Sequence, residues 1–423
     1  MAANSNKIST EFRQYLPDLN SPRFQIAKEQ DAYTYAATFQ KEQNPPWLYN
    51  LTKAWEQLYA EPFQGVTSDG STITDLFQPR DEGLPIHDIV NAVSNVLEKI
   101  SLDQKSKLLY PINAKEWRAW SNPEFLLRPF GLRLEELPED TVIAILRVLE
   151  VTLSLEGYQK AMVAMHMNQF LGELCQIPRI MNKYSYNFLV FGIPSATAAW
   201  GWSLYGHHLC LIVFIKGTQI IISPTFTGSE PNIDDRDGTQ ILHVEGDLGL
   251  QLMQSLPALL QQKAQVFKLL RDPDMLQSGD LTKDRWNQDD QRHMCGAFRD
   301  NRIVPYEGVC VGDIFTPEQQ HLVLDIAEQF LLYLPFRSRA LRKADIRAHF
   351  KDTYFCWIGG YGDDDAYYYR IQSPVAVFEF DHHSGVFLTN KEPTKFHIHT
   401  IVRTPNGGDY GNAIRLPVEK LLR

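Results

Sequence analysis

Apolar positions along the chain recur with two periods. Between residues 86 and 100, Ile89, Val90, Val93, Val96 and Leu97 fall three or four apart, the spacing of one helical face. The same pattern predicts helices over 141–174, interrupted at Gly157, over 247–270, and over 317–334. The last opens on Thr316-Pro317-Glu318, an N-cap followed by proline at the first helical position. Strand-like runs lie further on. Residues 187–191 are a short apolar run, and 208–215 and 219–224 flank Lys216-Gly217-Thr218, a hairpin signature. Segments 365–371, 375–381 and 395–404 complete the set, with period-two alternation clearest in the last two. Helices crowd the first half and strands the second. The strands are too close together for helical crossovers, so the pattern predicts an α+β fold, a helical N-terminal half packed against a largely antiparallel C-terminal sheet. Residues 1–85 read as an accessory segment with one helix over 47–59, and 86–423 as the main domain.

Composition narrows the function classes. The chain has 423 residues, 44% hydrophobic and 12% aromatic, enough apolar surface to exclude global disorder. A formal net charge of −10 with no Lys/Arg-rich run argues against nucleic acid and anionic membranes as partners. The start, MAANSNKISTEFRQYLPDLN, has no apolar core of a secretory signal. The longest apolar run, 209–215, is strand-sized, well short of the roughly 18 residues of a membrane span. Cys175, Cys210, Cys295, Cys310 and Cys356 show no CxxC spacing, so reduced thiols and a cytoplasmic setting are expected, without a cysteine zinc knuckle.

Half of the twelve histidines fall in Gly206-His207-His208, Asp381-His382-His383 and His397-Ile398-His399. On a strand, alternation puts His397, His399, Ile401 and Arg403 on one face, with the two histidine Cα atoms about 6–7 Å apart. Two neutral imidazoles at that spacing suit a divalent ion, and a carboxylate would complete the facial triad of non-haem iron. Glu379, acidic in the middle of an apolar strand, is the candidate carboxylate, on one face with Val375, Val377 and Asp381. His208, sharing a face with Cys210, Ile212 and Phe214, is the candidate further ligand, while His207 points the other way. Fe(II) is expected ahead of Zn, Cu or Mn. The His382-His383 doublet, followed by Ser384-Gly385, is expected in an exposed turn.

Around this centre, Trp200, Trp202, His207 and Tyr410 are candidate substrate contacts, the tryptophans with core filling as the competing role. Arg403 is expected to grip a substrate carboxylate, with an ion pair to Asp409 as its alternative. No GxGxxG or GxxxxGK[ST] motif points to nucleotides, and Ser223-Pro224 lacks the elbow context of a serine hydrolase. The expected activity is a metal-dependent oxidoreductase tailoring a small organic molecule. A metal-free isomerase, lyase or cyclase using histidine acid–base chemistry, a metal-dependent hydrolase and a non-catalytic small-molecule binder are the alternatives.

Several blocks occur together: Trp200-Gly201-Trp202, Gly206-His207-His208-Leu209, Ser223-Pro224-Thr225-Phe226-Thr227-Gly228 with Pro231, Tyr368-Tyr369-Arg370-Ile371, His397-Ile398-His399-Thr400 with Arg403, and Asp409-Tyr410-Gly411. In this order, from about residue 86 onward, they resemble the domain-of-unknown-function family DUF3500. The resemblance implies no assigned reaction. Fungal members resemble accessory proteins of small-molecule biosynthesis, which implies tailoring of a natural product, whereas many bacterial members look exported. The chain departs from the family pattern after Gly411, where a Leu-rich helix ending near Gln-His-Tyr is expected and Asn412-Ala413-Ile414-Arg415-Leu416-Pro417 stands instead.

Overall fold

The computed structural model describes residues 10–275 and 293–415, so the end of that divergent tail, Leu416-Pro417, lies outside the described residues. Two antiparallel four-stranded meanders form one sheet. The first consists of β1 (Tyr186–Phe191), β2 (Ala199–Gly206), β3 (Leu209–Lys216) and β4 (Gln219–Ser229). The second consists of β5 (Tyr354–Gly359), β6 (Tyr367–Gln372), β7 (Val377–His383) and β8 (Thr394–Arg403). Across the sheet the order is β1-β2-β3-β4-β8-β7-β6-β5, so the last strands of the two meanders meet at its centre. Short strands extend the edges, two of them parallel to their neighbours.

The helices are α1 (Pro22–Lys28), α2 (Ala32–Glu42), α3 (Pro46–Ala60), α4 (Ile86–Lys99), α5 (Glu139–Thr152), α6 (Leu155–Leu174), α7 (His243–Ser255), α8 (Pro317–Phe330) and α9 (Phe336–Ala348), with shorter ones between. This is the α+β arrangement the pattern predicts. Alternation sorts the strand residues between two cores. Trp202, Val213, Phe378 and Ile398 join Val93, Ile145, Phe170 and Val323 of the main helices. Ile212, Phe214 and Ile401 point to the opposite side, where Leu51 and Trp55 of α3 cover them. The N-terminal segment thus shares a core with the sheet.

Several local readings are corrected. The break in 141–174 falls at Leu153-Ser154, not at Gly157, because the Ser154 side chain caps α6 by accepting from the Gly157 amide. Gly157 lies within α6, where a Cβ would meet the backbone of Leu332 and Tyr333 at 2.5–2.6 Å. The helix over 247–270 stops at Ser255, since Pro257 cannot continue it, and resumes as Ala258–Ala264. Strands β2 and β5 have no counterpart in the reading of the sequence. No helix among the described residues is long and apolar enough to cross a membrane.

Candidate metal centre

The centre is assembled where β4 and β8 meet. On β8, His397 and His399 project to the side of Ile401, and their Nε2 atoms lie 3.0 Å apart. His208 occupies the two-residue turn between β2 and β3 rather than the strand itself. Its backbone is left-handed, φ 62°, and its Nε2 lies 3.1 Å from Nε2 of His399. Single ligand atoms of His208, His397 and His399 all fall within 4.8 Å of one another. Ligand nitrogens held about 2.0–2.1 Å from a common ion stand roughly 2.9–3.4 Å apart, so the two short contacts fit a coordination sphere.

A hydrogen bond fixes the tautomer of His397. His397 Nδ1 lies 2.9 Å from the Ser384 carbonyl, which only accepts, so the proton sits on Nδ1 and Nε2 presents its lone pair. His399 Nε2 faces both other rings but carries either one proton or one lone pair. It cannot serve both neighbours fully, and a cation at their midpoint satisfies all three. Burial and repulsion by the surrounding histidines hold the pKa of His208 and His399 well below the ordinary value, so both rings are neutral at pH 7. Nδ1 of His399 has no hydrogen-bond partner among the described residues.

The doublet expected in an exposed turn is buried. β7 runs on past Asp381 through an irregularity between His382 and His383. His382 turns towards Phe380 and Tyr367, and its Nδ1 accepts from the Tyr367 amide. His383 turns to the metal-centre side, its ring centroid 4.9 Å from that of His397 and 5.0 Å from that of His399. Its Nδ1 is 2.7 Å from the same Ser384 carbonyl. His293 adds a ring 6.3 Å from His399. The sequence marks His383 only as part of a doublet expected to be exposed, and it gives no signal for His293. His293 lies far from every motif, whereas the Ser384-Gly385 that follows His383 signals a turn and hides the extra strand residues.

Other candidates lie elsewhere. Glu379 pairs with Ile401 in the strand register, and Asp381 is the carboxylate level with His399. The Glu379 side chain does not join the three histidines: it accepts from the amides of Met294 and Cys295 at 2.6 and 3.0 Å and from the Tyr368 hydroxyl at 2.6 Å. Arg403 is enclosed, donating to the carbonyls of Cys295 and Gly296 and to the carboxylates of Asp300 and Asp409. Tyr410 belongs to this network, donating to Asp300 and accepting from Trp120 Nε1. Trp200 and Trp202 fill the core on the helical side, away from the histidines. His207 stacks on His208 at 3.8 Å between centroids, and its Nδ1 lies 2.9 Å from Asn168 Oδ1.

A cleft of about 830 Å³ reaches this region, and His383 stands in its wall. Helices α1 to α3 form one side, with Arg23, Tyr35 and Phe39. Glu124, Phe125 and the 383–391 loop form the other. Glu230, buried, braces that loop by accepting from the amides of Val386, Phe387 and Leu388, and it lies 3.8 Å from His397 Nδ1. Burial raises its pKa to about 7 despite those three donors.

No curated protein and no solved structure matches the chain. A family model, described as a protein of unknown function (DUF3500), matches residues 82–412, which include all the histidines of the cluster, and the chain therefore belongs to the DUF3500 family.

Proposed function

We propose that this protein is a mononuclear metalloenzyme, an oxidoreductase of the non-haem type, that modifies a small organic molecule held in the cleft beside His383. The convergence of His208, His397 and His399 carries the reading. Imidazole suits iron, copper and zinc alike, and Fe(II) is the ion proposed for oxidation chemistry. With the carboxylate of Glu379 engaged elsewhere, the third vertex is His208, so the ligand set is neutral and leaves the full charge of the ion available as a Lewis acid or oxygen-activating centre.

The protein's own part follows from the geometry. Burial keeps the ligands unprotonated, and the Ser384 carbonyl orients His397. Glu230 fixes the loop that carries Ser384 and the cleft wall, and the two cores on either side of the sheet exclude water. An all-imidazole set also serves zinc with an activated water, which makes hydrolysis the second reading. Consumption of dioxygen separates the two. All five cysteines are free and buried, in keeping with a reducing, cytoplasmic setting.

The test is elemental analysis of the purified full-length protein after reconstitution with Fe(II), Zn(II) and Cu(II) in turn. One equivalent of one metal is expected, lost in His208→Ala, His397→Ala and His399→Ala. Absence of stoichiometric metal, or its retention in all three variants, overturns the reading.

A further inference from the structure

The cleft has a chemical character of its own. Tyr35 and Phe125 stack in parallel with centroids 4.9 Å apart, and Phe39 lies 4.2 Å from Phe125. Beside these three rings sits Glu124, buried at the cleft wall. Its hydrogen bond among the described residues comes from the Tyr35 hydroxyl at 3.1 Å, and it forms no ion pair there. Burial raises its pKa, and the charge of nearby Arg23 only partly opposes that shift. Basic groups line the same cleft: Arg23, whose guanidinium donates to the Val386 carbonyl and rests 5.0 Å from the Phe387 ring, and Arg271, beside Ser384.

A simple cation would be repelled by the arginines, and a simple anion by Glu124. A molecule carrying both charges meets both. We infer that the cleft binds a small zwitterion of the aromatic amino-acid class, its ammonium at Glu124 and its carboxylate towards Arg23 and Arg271, with its ring against Tyr35, Phe39 and Phe125. The carboxylate end is then the one nearest His383 and the histidine centre. Ammonium–carboxylate contact and ring stacking are both strongest where water is partly excluded, as at Glu124. Tyr35, Phe39 and Arg23 precede the residues matched by the family model, whereas Glu124, Phe125 and Arg271 lie within them, so the N-terminal segment and the matched region build the cleft together.

The inference rests on the cleft serving the proposed metal centre, and its test reads binding separately from metal. Metal-loaded full-length protein is titrated calorimetrically with L-phenylalanine, 2-phenylethylamine and 3-phenylpropionate. Phenylalanine is expected to bind at least about tenfold tighter than either half-molecule, the gain of one additional charge-assisted contact. Glu124→Gln is expected to weaken phenylalanine and phenylethylamine by about tenfold or more, to leave 3-phenylpropionate unchanged and to retain the metal. Arg23→Gln, at an exposed position that folding tolerates, is expected to weaken phenylalanine and 3-phenylpropionate only. Equal binding of phenylalanine and 3-phenylpropionate, no binding of any probe, or indifference to both substitutions overturns the inference. Metal persisting in all of His208→Ala, His397→Ala and His399→Ala while phenylalanine still binds overturns the metal reading and leaves this one standing.

Discussion

Gly228 on β4 pairs with His399 on β8, and a Cβ built on Gly228 would stand 2.7 Å from Cδ2 of both His399 and His208. The glycine makes the space in which the two imidazoles approach each other, and its amide also donates to the His208 carbonyl. Its φ is not in the left-handed region, so alanine is permitted by the backbone and excluded only by the rings. Gly228→Ala is therefore expected to displace His208 and His399 and to weaken metal binding by about tenfold or more, with circular dichroism unchanged. Full metal occupancy in this variant would show that the rings are not confined as the structure has them.

Two of the three acceptor contacts of Glu379 tie β7 to the segment at Met294-Cys295, and the third takes the Tyr368 hydroxyl of β6. Glu379→Ala strands two buried amides, so a loss of about 1–3 kcal/mol in unfolding free energy is expected, with metal content unchanged. Loss of metal at unchanged stability would make Glu379 a ligand.

Arg403 lies between Asp300 and Asp409, at 2.6 and 3.1 Å, and none of the three side chains reaches solvent. Removing the cation leaves two carboxylates buried, although Arg118 still holds Asp300. Arg403→Met is expected to cost about 3–5 kcal/mol in denaturant unfolding. A variant as stable as the parent but impaired in ligand affinity would assign Arg403 the role of substrate anchor.

Period-two alternation in β7 and β8 is strong enough to place the faces correctly, because one face carries Phe378, Phe380, Phe396, Ile398 and Val402 and the other Glu379, Asp381, His397, His399 and Arg403. It therefore brings His397, His399 and the face of Glu379 to one side. Alternation carries no information on how two strands are offset, and register is what puts Asp381 rather than Glu379 level with His399. β2 is missed because Trp200-Gly201-Trp202 breaks its apolar run with a glycine. That glycine is required where a Cβ would meet the Val213 carbonyl at 2.1 Å. The N-terminal helices carry weak periodicity, since they cap a sheet face rather than spanning between layers, and the cleft they close is invisible without the fold. Arg403 pairs with Asp409, the alternative partner that the sequence offers, at 3.1 Å, whereas its other partner, Asp300, lies more than a hundred residues away and leaves no signal there.

The histidine cluster also sets the response to acid. In the metal-free protein, burial and neighbouring histidines depress the pKa of His208 and His399 well below 6.5, and that of His207 to about 3. The unfolded chain takes up these protons below about pH 6.5 and the folded one does not, so stability falls as the pH drops, by about 1.4 kcal/mol per unit for each group. Glu230 acts in the opposite sense. Its folded pKa, about 7, lies above the unfolded 4.5, so its contribution is present at low pH and lost as the pH rises through 7. Glu124, also raised, has the same sign. The histidines outnumber the two carboxylates, so a net loss of stability is expected between pH 6.5 and 5, measurable by urea unfolding after chelation. Glu230→Gln removes one opposing group and is expected to steepen the loss by about 1.4 kcal/mol per pH unit. Metal-free protein equally stable at both pH values would show that the imidazoles take up protons in the folded state and are not held neutral for coordination.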